Sequence, residues 1–253
     1  MEFIRLTHEN IEKEHICCAI SNNNDIQVRS KKSWLNDRLD DGLVFLKANV
    51  RGKCFIEYIP AENAWVPIDA DGYTYIDCLW VSGQFKGHGY SNLLLEECIN
   101  DSRSQGRKGL VILSSKKKLG FLSDPKYLAY KGFQAADSAS PYFELMYLPF
   151  DDNAEKPNFR KCAKDNFTDM VDGFTLYYTS QCPFTAKYVP LLEDIARSKN
   201  VPINIVHIDT KDAAQKCPSA FTAFALFYNG EFVTHEILSE KKFEKLLSDK
   251  GFA

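Results

Sequence analysis

Apolar and polar positions follow two rhythms along the first 150 residues of the 253-residue chain. Runs rich in branched and aromatic side chains predict strands at "FIRLT" (3–7), "LVFLKANV" (43–50) and "CFIEYI" (54–59), and the "RGK" before the last of these is a tight-turn signal. "YTYIDCLWVSG" (73–83) and "GLVILSS" (109–115) read as buried strands, and "PYFELMYLPF" (141–150) as another. Helical spacing is found at 9–20 and 31–42, with Gly42 as a stop for the second. Between the two buried strands, Tyr90, Leu94 and Cys98 lie four apart, as do Ser91, Leu95 and Ile99. They predict one apolar helix face ending near Gly106. "DPKYLAYKGF" (124–133) predicts a short helix with Asp124 as cap and Pro125 in its first position.

The pattern then lapses. Residues 151–173 mix charges without a period and read as a linker, although Phe159, Cys162, Phe167 and Met170 could pack on a neighbour. A second pattern follows: a strand at 174–179, a helix to about 199, a strand at 203–209, a short helical turn, two strand-like runs around Asn229-Gly230, and a helix at 240–247. Asn-Gly between β-rich runs is a hairpin signal. The expected fold class is α/β (α+β). A mixed central sheet flanked by helices occupies 1–150, a linker 151–172, and a small α/β unit 173–253.

Composition narrows the function classes. Hydrophobic residues make up 45% of the chain and aromatic residues 13%, enough for a real core. A net charge of −3 with both signs interspersed gives no basis for nucleic-acid or membrane-surface binding. No apolar leader or bilayer-length run is present, so a cytoplasmic location is expected. None of the eight cysteines stands in a CxxC or CxxxH pair, so no zinc site is expected and the thiols read as reduced.

The chemistry centres on Gln84, Gly87 and Gly89, a Q-x-x-G-x-G between a strand and a helix. A helix N-terminus offers unpaired N–H groups and partial positive charge, and glycine lets a phosphate approach the backbone. A P-loop would need G-x-x-x-x-G-K-S/T, and a dinucleotide fingerprint would need Gly where Asn92 stands. The motif, its strand–loop–helix setting and the later "GF" helix resemble the GNAT superfamily of acetyl-CoA-dependent N-acetyltransferases over residues 1–150. That resemblance implies acetyl-CoA as co-substrate. It implies Leu79, Trp80 and Val81 along the pantetheine, and Phe85, Lys86, Gly87, His88, Gly89, Tyr90 and Ser91, with Gln84, around the pyrophosphate. An amine acceptor then attacks the thioester directly. The usual acid is a Tyr five residues before the Phe of "GF". Leu128 stands there, and Tyr127 is the better substitute than Tyr130 at about 100° per residue. Asp77, Glu57 and Glu62 are open as bases, beside the reading of each as an ordinary hydrogen-bonded acid. Lys116, Lys117 and Lys118 read as a solvated cluster that could reach a nucleotide phosphate.

The second unit carries Cys182 at a predicted helix start, with Pro190 eight residues on. This resembles thioredoxin-like proteins, and the helix dipole would lower the pKa of such a thiol. Two departures oppose dithiol exchange: Thr185 replaces the second cysteine, and Thr222 stands where the family has its cis-proline. The two-part chain resembles the YoaP-type acetyltransferases. Acetyl transfer to an amine is the expected activity. A thiol redox protein acting through Cys182, or a non-catalytic acetyl-CoA-binding module, are the alternatives.

Overall fold

Seven of the strands lie in one twisted sheet, in the order β1-β2-β3-β5-β6-β8-β7. The computed structural model describes residues 2–19 and 22–252. In chain order the first part runs β1 (Phe3–Arg5), α1 (Ile26–Leu39), β2 (Val44–Ala48), β3 (Cys54–Pro60), β4 (Ile68–Asp69), β5 (Thr74–Val81), α2 (Tyr90–Ser104), β6 (Gly109–Ser115), α3 (Pro125–Tyr130), β7 (Gln134–Ala139) and β8 (Phe143–Pro149). It continues with β9 (Asn158–Phe159), α4 (Lys161–Asp165), β10 (Phe174–Tyr178), α5 (Pro183–Ser198), β11 (Ile203–His207), α6 (Lys211–Gln215), β12 (Phe224–Tyr228), β13 (Glu231–Thr234) and α7 (Glu240–Asp249). The fold class is the expected mixed α/β.

Every pairing in the large sheet is antiparallel except that of β5 with β6. This parallel pair is in register only at Thr74–Leu110, Tyr75–Val111 and Ile76–Ile112. Beyond Ile76 the two strands separate, although β5 runs on to Val81 and β6 to Ser115. The backbone of β5 facing the gap is therefore unpaired by the sheet, and such groups call for another hydrogen-bonding partner. On its other side β5 stays paired with β3, but the register shifts: Tyr58 opposes Ile76 and Glu57 opposes Cys78. Asp77 is the extra residue of a β-bulge. The bulge breaks the two-residue alternation, so Asp77 and Cys78 both reach the same cavity wall.

The two faces of the sheet carry separate cores. One, formed by Ile56, Ile76, Leu110 and Ile112, is covered by Leu94, Leu95 and Cys98 of α2 and Leu128 of α3. The other joins Phe45, Phe55, Tyr75 and Leu113 to Trp34 and Leu35 of α1, and runs on without a break into Ile208, Ala214, Cys217 and Ala220 of the second unit. The second unit is built on a four-stranded sheet, β11-β10-β12-β13, with β10 and β11 parallel and the remaining pairs antiparallel. Its own core gathers Phe174, Leu176, Leu192, Leu226 and Phe243. Asn229 and Gly230 both take positive φ at the β12–β13 turn, as the sequence signal required.

Three expectations differ from the structure. Residues 9–19 form successive turns rather than a helix, and Ile20 of that expected helix lies outside the described residues. The cause is local: Asn10 accepts a hydrogen bond from the Thr7 N–H and donates to the Arg5 carbonyl, which gives the backbone a competing set of partners. The helix expected at 31–42 begins earlier, at Ile26, and ends before Gly42, whose φ is +89°. The stretch expected as a linker contains β9, paired with β4, and α4, with Phe159 and Ala163 buried. Phe167 and Met170 are exposed.

The units are tied by hydrogen bonds as well as by core. Thr222 Oγ1 donates to the Trp65 carbonyl at 2.6 Å, and Gln215 Nε2 to the Ala64 carbonyl at 3.1 Å. His235, 1% exposed, bridges both units. Its Nε2 faces the Gly120 carbonyl at 2.9 Å and its Nδ1 the Tyr142 hydroxyl at 2.7 Å. A carbonyl only accepts, so Nε2 carries the proton, and the neutral ring takes the Tyr142 O–H at Nδ1. Burial first of all holds the His235 pKa below the ordinary value, in keeping with that neutral form.

Candidate active site

The gap between β5 and β6 opens into two cavities, one on each side of the strand ends. The first is lined by Val81, Phe85, Lys86, Gly87, Gly89, Tyr90 and Ser91 from the end of β5 and the start of α2, and by Lys118, Asp124 and Tyr127 from the β6–α3 side. Its volume is about 390 Å³. Gly87 and Gly89 have φ of +81° and +77°, which L side chains seldom adopt, and a Cβ at either would project into open space. Gly89 is the residue preceding the first turn of α2, so the unpaired N–H groups of that turn face an open loop. Nine of the eleven residues that the resemblance assigned to the cofactor line this cavity or its continuation. Gln84 and His88 are exposed and do not line it.

Lys118 is exposed, as expected of a solvated cluster, and also lines the cavity, where its ammonium pairs with Asp124 at 2.7 Å. That contact, chiefly, holds the Asp124 carboxyl below the usual carboxylate range. Asp124 also accepts the Lys126 N–H, as a helix cap does, so one side chain ends the loop and starts α3. Tyr127, half-buried, turns its hydroxyl toward Asn92 Oδ1 at 3.4 Å, and burial raises its pKa. The phenol is thus protonated across the neutral range and can donate a proton. Tyr130 is 78% exposed on the far side of α3, and Leu128 is buried in the core.

The second cavity, of about 410 Å³, meets the first at Leu79, Trp80, Leu122 and Ser123, which line both. Its polar end holds a chain of polar groups, of which Lys31 and Glu57 are buried. Lys31, on the inner face of α1, donates to both carboxylate oxygens of Glu57 at 2.6 and 2.7 Å. Burial pulls Lys31 toward the neutral form, but Glu57 and the groups beside it overcome this and hold its pKa above the ordinary value. Asp77 stands next to the pair and accepts a hydrogen bond at 2.9 Å from Gln181 of the second unit. Burial, reinforced by the Glu57 charge, pushes Asp77 well above the usual carboxylate range, against the pull of Lys31 and Gln181. Glu62, the other candidate base, lies outside both cavities and pairs with Arg107 at 2.6 Å.

Cys182 lines this second cavity, together with Cys18 and Cys78. The expectation that the start of α5 lowers the Cys182 pKa is overturned. Burial outweighs the helix terminus and pushes the thiol up to about 11. The Thr185 hydroxyl, at the position of a resolving cysteine, is fully buried and donates to the backbone carbonyls of Cys182 and Thr179. Trp34 and Trp65 meet edge to face at 4.5 Å inside the core, under the Arg38 guanidinium, and form no part of either cavity.

Sequence reasoning passed over Lys31, Gln181 and Ser123. A lysine in a helix with no clear apolar face reads as solvated, and Gln181 stands just before the Cys182 motif without belonging to it. The signal for Lys31 was its place three residues after Val28 and four before Leu35, two of the three apolar residues on the buried side of α1.

Splayed parallel strands and a glycine loop opening a helix are the arrangement that the GNAT resemblance implied. The chain is 44% identical over 249 residues to the uncharacterized N-acetyltransferase YoaP of Bacillus subtilis strain 168, across 98% of this chain and 99% of that protein. A YoaP-like family model matches residues 202–245. The chain belongs to the YoaP family of N-acetyltransferases. Among solved structures it resembles a GNAT family acetyltransferase of Brucella melitensis in complex with acetyl-CoA (15% identity, 61% of this chain and 91% of that one, TM-score 0.38). It also resembles the GNAT family N-acetyltransferase YhbS of Escherichia coli in complex with CoA (13% identity, 63% and 89%, TM-score 0.41). Among the described residues no helix is long and apolar enough to cross a membrane.

Proposed function

We propose that the chain transfers the acetyl group of acetyl-CoA to an amine by direct attack. The carrying observation is the junction of two cavities at Leu79, Trp80, Leu122 and Ser123, beside the separated ends of β5 and β6. The loop of Gly87 and Gly89 suits the pyrophosphate and the free edge of β5 suits the pantetheine, with Lys118 beside the phosphates. The thioester then lies at the junction and the amine enters through the second cavity. Asp77 removes a proton from the ammonium, and the amine nitrogen attacks the carbonyl carbon. As the C–N bond forms and the C–S bond breaks, the leaving thiolate takes the proton of Tyr127, and the second proton lost by the attacking nitrogen returns through solvent to the tyrosinate, leaving a neutral amide and CoA thiol. A base with a pKa raised toward the working pH is suited to this step. Glu57, held at both oxygens by Lys31, serves to fix the charge next to Asp77.

The order and pairing of the second unit, β-α-β followed by a hairpin and helix, support the thioredoxin-like reading of residues 173–253. A redox role through Cys182 is disfavoured by its raised pKa and by Thr185, which leaves no second thiol in the motif. The start of α5 and the segment before β12 are instead packed against the first unit, through Gln181 on Asp77 and Thr222 on the Trp65 carbonyl.

Two outcomes test this function. Acetyl-CoA should raise the melting temperature progressively with concentration, because a ligand that binds only the native state must stabilise it. Gly89→Glu places a carboxylate in the loop and should abolish the shift; a shift that survives in this variant places the cofactor elsewhere. Tyr127→Phe should leave the acetyl-CoA shift intact while lowering kcat. A thiol with a reference pKa of about 8.5 is already a fair leaving group. The loss is therefore expected at the low end of acid catalysis, about 100-fold. An unchanged kcat removes Tyr127 from the mechanism.

A further inference from the structure

The second cavity is built jointly by both units. Asp77, Cys78 and Trp80 of β5 form one side, and Gln181, Cys182 and Phe184 at the start of α5 form the other, with Phe221 closing behind them. The C-terminal unit cannot swing away cheaply. Thr222, Gln215 and His235 bond it to loops of the first unit, at Trp65, Ala64 and Gly120, and one apolar core runs through the junction. His235 also holds Gly120, next to the lip residues Phe121 and Leu122. The charge inside is unbalanced. Lys31 spends its charge on Glu57, which leaves Asp77 as a half-buried carboxyl in the cavity wall whose one hydrogen bond comes from a neutral amide. A group so placed is complemented by a cation. The remaining lining is mainly aromatic and aliphatic.

We propose that the C-terminal unit is a fixed wall of the acceptor site, and that the site takes a small primary ammonium carrying an apolar or aromatic flank rather than a polypeptide. This rests on the acetyl-transfer function proposed above. A cavity of about 410 Å³ falls in the range of about 300–1,000 Å³ that holds small molecules. In it the ammonium meets Asp77 and the flank lies against Phe184 and Phe221. Gln181 is a positioning residue: its amide fixes the Asp77 carboxylate and favours its ionised form. The groups facing Asp77 are Lys31 of α1, Glu57 of β3, Tyr75 and Cys78 of its own strand, Cys18, and Gln181 and Cys182 of the second unit.

The full-length chain is assayed for acetylation of 2-phenylethylamine, methylamine and a hexapeptide with a free N-terminal alanine. The arylalkylamine should be preferred over both others by at least about tenfold in kcat/KM, the scale on which added apolar contact is discriminated in a pocket. Phe184→Trp should narrow the site and erode the preference over methylamine. Phe184→Ala should raise KM for 2-phenylethylamine, with KM for acetyl-CoA unchanged in both. Gln181→Leu removes a hydrogen bond that lowers the Asp77 pKa, so the rise of kcat with pH should move to higher pH. Three results overturn the proposal: the peptide preferred, amine selectivity untouched by both Phe184 variants, or no amine acetylated while acetyl-CoA still raises the melting temperature. Absence of that thermal shift in the unmodified chain instead removes the acetyl-transfer function on which the proposal stands.

Discussion

Asp77→Asn is expected to lower kcat by about 10²- to 10⁴-fold, the range that a positioned general base contributes. The amide keeps the shape of the side chain and can still accept the Gln181 hydrogen bond at the bulge, so KM for acetyl-CoA should not move. The pH profile carries the sharper test. Only the ionised carboxylate takes a proton, so the rate of the unmodified chain rises as pH climbs through the raised Asp77 pKa. The asparagine variant should lack that limb. Stability should move the other way. The folded state holds the Asp77 proton more tightly than the unfolded chain, so the contribution of this group is complete below the unfolded value and is lost as pH rises through the folded one. Asp77→Asn removes that loss, and its melting temperature should overtake that of the parent at alkaline pH. A variant with full turnover and the parent's pH profile assigns the base elsewhere.

How much of this was legible in the sequence depends on the scale of the cause. Local causes were legible. Gly87 and Gly89 sit in the left-handed region because the strand-to-helix turn requires it, and Asp124 and Pro125 start α3 as their types dictate. The buried strands 73–83 and 109–115 were recognisable from continuous apolar runs. Edge elements were not. β7, "QAADSA", is an outer strand with few β-formers, held by pairing with β8 across a bulge rather than by its own propensity. Long-range chemistry was the least legible. Gln181 reaches Asp77 across 104 positions of sequence, and Lys31 reaches Glu57 across 26. The Cys182 pKa went the wrong way for the same reason: the helix start is local and visible, whereas the burial that outweighs it comes from another part of the chain.

Lys31→Met should destabilise the fold by about 3–5 kcal/mol, the cost of leaving one member of a buried ion pair without its partner. Both side chains are 2% exposed, so solvent cannot replace the lost ammonium at Glu57. For a chain of this size that corresponds to a fall in melting temperature of roughly 6–20 °C, at about 2–4 °C per kcal/mol. The pair itself need not be a net source of stability, because desolvating two charges offsets much of their attraction. The double variant Lys31→Met, Glu57→Leu should therefore recover most of the loss, which a simple packing defect at residue 31 would not allow. Its activity should not return with its stability. Without Lys31 and Glu57, Asp77 loses both the cation that lowers its pKa and the anion that raises it, and the tuning that brings it toward the working pH goes with them. A single Lys31→Met variant that melts within about 2 °C of the parent, a shift under about 1 kcal/mol, would mean that water or another cation reaches Glu57. The polar end of the acceptor cavity would then be wetter and less selective for an ammonium than its geometry requires.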